Sequence, residues 1–193
     1  VILGPNHTGI GPGVSVFPGG DWRMPFGDVP VNSSLASRII EESELPVADE
    51  TAHAREHSLE VILPFLYYAS GQALSFVPVT LSLMSRDECR ALGRALARVI
   101  SGRPEEILLV SSSDMTHYES HESAKAKDSD AIGRILEMDP DGLIDVVNRR
   151  RITMCGIIPT AVMLYAAIDL GATEARLVRY ATSGEVSGDY NQV

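Results

Sequence analysis

Three short apolar runs, Val1 to Gly4, Leu74 to Leu81 and Ile107 to Val110, interrupt a chain otherwise dominated by helical periodicity. Each is too short for a helix and lacks the apolar–polar alternation of a strand with a wet face. They therefore read as strands covered on both faces. Ala175 to Ala181 reads as a fourth strand. Between the runs, Asn32 or Ser33 can cap a helix from Leu35 to Leu45. Ser85 with Glu88 makes a capping box ahead of the stripe Leu92, Leu96, Val99 and Ile100. A third helix is predicted from about Glu56 to Ala69 on the stripe Leu59, Ile62, Leu63 and Leu66, with a kink at Pro64. Ala124 to Glu137, Asp141 to Arg150 and Pro159 to Leu170 complete the set, the last with Gly171 beyond its end. From Val14 to Val31, the turns Pro18-Gly19-Gly20-Asp21 and Pro25-Phe26-Gly27-Asp28 punctuate short extended pieces, the pattern of a hairpin or arm beside the main sheet. Strands alternating with helices predict an α/β layered sandwich with a central, mostly parallel or mixed sheet.

Composition narrows the function classes. At 193 residues and 45% apolar, the chain can bury enough surface for one core, so a single domain over 1–193 is expected. Val1-Ile2-Leu3-Gly4 reads as the middle or end of a strand, and the natural start is expected upstream. The formal charge of −10 opposes binding to nucleic acid or anionic lipid. The one dense basic run, Arg149-Arg150-Arg151, fits the C-terminal dipole of the helix it ends. No apolar run reaches the ~20 residues that a membrane span needs. Two cysteines could form at most one disulfide, which a domain of this size does not require, so a reducing cytoplasmic setting is expected.

Ligands of open α/β sheets bind beyond the carboxyl ends of the strands. Gly4-Pro5-Asn6-His7-Thr8-Gly9 follows the first run and offers His7, either a ligand or an inert loop histidine. Ser111-Ser112-Ser113-Asp114-Met115-Thr116-His117 follows the third and offers Asp114 and His117. Those two residues also suit a capped helix start. Cys155 precedes the last long helix, where unpaired N–H groups lower a thiol pKa; the alternative is a buried small hydrophobe, as read for Cys89. His53-Ala54-Arg55-Glu56-His57 matches the H-x-x-E-H zinc pattern, but Thr51 to Arg55 reads as an approach to a helix rather than as its body. Glu56 and Glu60 share a helical face, lining a site or simply solvated, and His121 reads as surface.

Taken in order, Gly4-Pro5-Asn6-His7, Glu56-His57-Ser58-Leu59-Glu60 with Leu63-Pro64, Ser112-Ser113-Asp114-Met115-Thr116-His117, and Cys155-Gly156 with Pro159 resemble the Memo family. Its prokaryotic members are labelled AmmeMemoRadiSam system protein B. The resemblance runs to Tyr180-Ala181-Thr182-Ser183 and so covers essentially the whole chain. It implies a fold like that of class III extradiol dioxygenases, whose site holds non-haem iron on two histidines and a carboxylate. By that resemblance His7 matches a metal ligand and Cys155 takes the place of the third. His117 corresponds to the acid or base, Asp114 is its neighbour, and His57 lines the same cleft. The family's first ligand histidine lies in a Pro-His-Ala-Gly-Tyr segment upstream of the opening strand, and that segment does not occur here. The resemblance implies Fe(II), while a thiolate in place of a carboxylate shifts preference toward softer ions such as copper(I), zinc or thiolate-bound iron. The function implied is a non-haem iron oxidoreductase of unspecified substrate. Its rivals are a module binding a peptide or a radical-SAM-type partner in the same cleft, and a zinc-dependent hydrolase.

Overall fold

Along β1 (Ile2–Pro5) the side chains alternate between two cores, and that alternation sets the layering. Leu3 joins Val14, Val16, Val77, Val79 and Leu81 in one core, while Ile2 joins Val29, Leu59, Leu63 and Phe76 in the other. The computed structural model describes residues 1–71, 73–102 and 106–193.

Five strands form the central sheet. To β1 are added β2 (Val14–Val16), β5 (Pro46–Ala48), β6 (Pro78–Leu81) and β7 (Val110–Ser111), in the order β5-β2-β6-β1-β7. β1 pairs in parallel with β6 and β7, and β2 pairs in parallel with β5 but antiparallel to β6. The sheet is therefore mixed, and the carboxyl ends of β6, β1 and β7 lie side by side. A separate hairpin, β3 (Asp21–Met24) with β4 (Gly27–Pro30), lies against the second core together with α2 (Leu63–Ala69). The first core is closed by α1 (Ser33–Glu41), α3 (Arg86–Ser101) and α6 (Ile157–Asp169). α4 (His121–Leu136) and α5 (Pro140–Arg150) pack with α6 around a third cluster that includes Leu143, Val147 and Leu164. The result is the α/β layered sandwich expected from the alternation of runs. No described helix is long and apolar enough to cross a membrane.

The caps form as the sequence predicts. Asn32 Oδ1 accepts the Leu35 N–H, and Ser85 and Glu88 close a reciprocal box. Other expectations change. The predicted arm splits: Val14 to Val16 enters the main sheet, and only residues 21–30 form the hairpin. The helix expected from Glu56 is broken. A single 3₁₀ turn covers Glu60–Ile62, and α2 starts at Leu63, so Pro64 sits in the first turn, where its missing N–H costs nothing, and starts the helix rather than kinking it. Ala175 to Ala181 is not a strand, and Val178 is 96% exposed. An apolar run needs a free edge to pair with, and edge strand β7 offers only two residues of ladder. Tyr180 Oη instead ties this segment down by donating to Asp128 Oδ2 at 2.8 Å.

Candidate metal centre

The carboxyl ends of β1 and β7 are adjacent, since the Ser112 N–H donates to Leu3 O at 2.8 Å. A group of metal-competent side chains gathers around the residues that follow each end, with Glu56 and His57 brought in by a later loop and Cys155 by the start of α6. His7, Glu56 and His57 make the first group; Asp114, His117 and Cys155 make the second. Within each group one ligand atom per residue lies within 4.8 Å of the others. The residues singled out in the sequence are thus held as two trios at neighbouring strand tips, with Glu56 added.

Glu56 organises the first trio. It is 3% exposed and accepts the backbone N–H of His7 (2.6 Å), the N–H groups of His57 and Ser58 (2.9 Å each) and His7 Nδ1 (2.9 Å). Burial on its own would raise its pKa. The Ser58 N–H, the His7 ring and the His7 N–H outweigh burial and hold the carboxyl at about 2. The ionised carboxylate can only accept, so His7 Nδ1 carries a proton and Nε2 is the ring nitrogen that could ligate. A carboxylate fixing one ring nitrogen so that the other can ligate is the usual support of a metal-binding histidine. His57 stacks on His7 with ring centroids 4.9 Å apart and stays largely solvent-facing. Gly4 makes the approach of the two segments workable, because a Cβ there would lie 2.6 Å from Ser58 Oγ and 2.7 Å from Leu59 Cδ2.

Thr153 performs the same service in the second trio. The His117 N–H donates to Thr153 Oγ1 at 2.7 Å, and His117 Nδ1 donates to Thr153 O at 2.8 Å, since a carbonyl can only accept. Nε2 is left open, 3.8 Å from Asp114 Oδ2. Cys155 Sγ accepts the Asp114 N–H at 3.1 Å, and the Cys155 N–H donates to Asp114 O at 3.2 Å, which joins the start of α6 to the strand tip. The thiol does not show the lowering expected from a helix start. Burial pushes the Cys155 thiol up, against the Asp114 N–H that favours its thiolate. Cys89 is fully buried in the first core, and burial pushes its thiol to about 11.

His53 and His57 do not share a helix: His53 ends a single 3₁₀ turn, Thr51–His53, and His57 lies in the loop beyond it. The two imidazoles accordingly do not form a zinc pair of the H-x-x-E-H kind. His121 belongs to neither group and is half-buried at the start of α4 rather than on the surface, its Nδ1 pairing with Thr182 Oγ1 at 2.8 Å. A cavity of about 730 Å³ opens at the amino ends of the parallel strands, by Val1, Phe76 and Leu108, and none of the six clustered residues lines it. Thr153 is the site residue that sequence reasoning did not name, and Glu56 was left open between lining a site and being solvated. Glu56 lay beside a histidine and Thr153 two positions before the cysteine, but their burial and bonding follow from chain crossings that no local pattern carries.

Acid should loosen this end of the molecule. Asp49 also sits at about 2: burial would raise it, but the Ser15 and Thr51 hydroxyls and the Ala52 and Thr51 N–H groups lower it further. Both carboxyls are depressed in the folded state. Their stabilisation is therefore complete above the ordinary carboxylate range and is lost as pH falls through that range toward 2. Urea midpoints measured from pH 6 down to 2.5 should fall gently at first, as the buried His53 imidazole resists protonation, and more steeply below about pH 5 as these carboxyls protonate.

The donor set suits a borderline or soft ion, with imidazole nitrogens and a thiol prominent among the available atoms. A family model described as Memo-like protein matches residues 1–193. A MEMO1 family protein of Methanopyrus kandleri is 44% identical over the whole chain, which spans 68% of that relative. MEMO1 family proteins of Methanothermobacter thermautotrophicus and Sulfolobus acidocaldarius are 42% and 38% identical, again over the whole chain and 69% and 68% of theirs.

Proposed function

The chain belongs to the Memo-like protein family, and we propose that it binds a non-haem metal ion, Fe(II) in the first instance, between the tips of β1 and β7 and acts there as an oxidoreductase. The observation that supports this most is the double fixing of imidazoles. His7 and His117 each commit Nδ1 to a fixed acceptor, the buried Glu56 carboxylate and the Thr153 carbonyl, and leave Nε2 available, an arrangement a merely solvated histidine does not need. His7 and Cys155 would hold the ion. An iron ion in that place supplies a redox-active Lewis acid. His117 Nε2 would take a proton from a substrate hydroxyl, and Asp114, whose Oδ2 is 3.8 Å away, would stabilise the imidazolium that results. His57 would form the adjoining wall. Copper(I) and zinc fit the same donors; zinc would turn the site toward hydrolysis of a water-sensitive substrate.

The test is elemental analysis and anaerobic Fe(II) titration of the purified protein. Wild type is expected to retain iron stoichiometrically, and His7→Ala and Cys155→Ser each to weaken retention by more than the roughly 100-fold that loss of a supporting residue costs. Equal retention by wild type and both variants would overturn the reading. Metal-free protein whose partner capture is blocked by the same substitutions would instead assign the cleft to a peptide- or partner-binding module.

A further inference from the structure

Glu56 and His57 also form one wall of a second space, a cavity of about 700 Å³ whose other walls include Phe17, Trp22 and His53. His53 is 6% exposed, and its Nε2 lies 3.2 Å from Ser15 O. A carbonyl oxygen only accepts, so Nε2 carries the ring proton and Nδ1 is a bare lone pair. That Nδ1 is buried with no hydrogen-bond partner. Burial also lowers the imidazole pKa, which keeps the ring neutral. Phe17 and Trp22 stand edge-on to it, with centroids 5.5 and 6.0 Å away. Buried acceptors of this kind are rare because their desolvation goes uncompensated.

Trp22 belongs to β3 of the separate two-stranded sheet, which joins the rest of the chain at its β4 end, where the Phe76 N–H donates to Pro30 O and Val31 bridges to Phe76. Trp22 is half-buried, edge-to-face with Phe17 and Phe76, and His53 is anchored to β2 through Ser15, so a guest that reaches His53 Nδ1 requires the indole, not His53, to turn. The lining carries four carboxylates, Asp21, Glu50, Glu56 and Glu60, against Arg23 and Arg55, which disfavours an anionic guest. A space of this size, with aromatic walls and one fixed polar group, has the character of a small-molecule site.

We propose that this cavity binds an uncharged aromatic molecule bearing a hydroxyl or N–H group, which donates to His53 Nδ1 as Trp22 turns aside. The bond satisfies the orphaned acceptor, and Phe17 and Trp22 take the ring edge-to-face. The proposal does not depend on the metal reading, because neither His7 nor Cys155 contributes to it.

Trp22 is the single tryptophan of the chain, so its emission reports the cavity directly. The full chain in EDTA is titrated with phenol, toluene or benzoate, with excitation on the red edge of the indole band. Phenol should give a saturable change with a half-saturation about 3–10-fold below that of toluene, the range set by one net hydrogen bond. Benzoate should bind more weakly than phenol. His53→Gln can still donate to Ser15 O and accept from the guest, and it should keep the preference for phenol. His53→Phe should lose it while retaining toluene binding. Toluene binding as well as phenol, an unsaturable response to all three, or an undiminished phenol preference in His53→Phe would overturn the proposal. The wild-type comparison of phenol with toluene decides it even where His53→Phe does not fold.

Discussion

Glu56→Ala should cost about 3–5 kcal/mol of stability, a large share of the ~5–15 kcal/mol a domain has to lose. The carboxylate accepts three backbone N–H groups and one imidazole N–H, and alanine leaves all four without a partner beside a buried core. The depressed pKa expresses the same hydrogen bonds as a proton affinity. Holding a carboxyl at about 2 instead of its ordinary 4.5 corresponds to roughly 3 kcal/mol at neutral pH. Glu56→Gln keeps the shape and one accepting oxygen, so it should fall between alanine and wild type. Its loss of the carboxylate anchor on His7 should weaken metal retention by about 10–100-fold. Urea unfolding at pH 7 and at pH 3 separates the contributions. The gap between wild type and Glu56→Gln should shrink at the lower pH, where protonation has already removed part of what the substitution removes. A loss below about 1 kcal/mol for Glu56→Ala, or a gap that does not shrink, would mean that the four donors find other partners.

The layered sandwich was legible because buried strands and capped amphipathic helices announce themselves locally: Val1 to Gly4 has no polar position to spare, and Ser85 with Glu88 can mean little other than a helix start. The strand tips were legible for the same reason, and with them His7, Asp114, His117 and Cys155. What stayed hidden depends on neighbours distant in sequence. Whether Ala175 to Ala181 becomes a strand depends on an open edge, and β7 does not provide a long one. Whether Glu56 is solvated or buried depends on the crossing of its loop beneath the β1 tip, and that crossing was masked by a helical stripe beginning at Leu59. The stripe is real, since Leu59 and Leu63 are fully buried, but the backbone carries it first as a 3₁₀ turn and only then as a helix. That His7 sits with Glu56 and His57, and Cys155 with Asp114 and His117, is likewise a matter of loop paths beyond the strands.

Gly156→Ala should damage the second trio more than it damages the fold. The glycine has φ −95° and ψ 30°, a conformation alanine can adopt, so backbone strain plays no part. The obstacle is space: a Cβ would sit 2.4 Å from Ser112 O, 2.4 Å from Ser113 Cβ and 2.7 Å from Ser113 Oγ. None of these can yield easily. Ser112 is tied to β1 by its N–H bond to Leu3 O, and Ser113 Oγ accepts the Gly156 N–H at 3.0 Å. The start of α6 must therefore move away from the β7 tip, and the contact that opens is Cys155 Sγ to the Asp114 N–H. Overpacking of this sort costs about 1–3 kcal/mol. The helix itself remains anchored by Val162 and Ala166 in the first core, so the domain should still fold. Metal retention should fall by about 10-fold or more, because a ligand displaced relative to its partners loses the geometry that makes the site. Gly133→Ala is the matched control: it lies within α4 with open space around its Cβ position, and alanine there should stabilise by up to about 1 kcal/mol without touching the site. If Gly156→Ala retains metal as well as Gly133→Ala does, the junction of α6 with the β7 tip is not what sets the trio, and the role given to Cys155 falls with it.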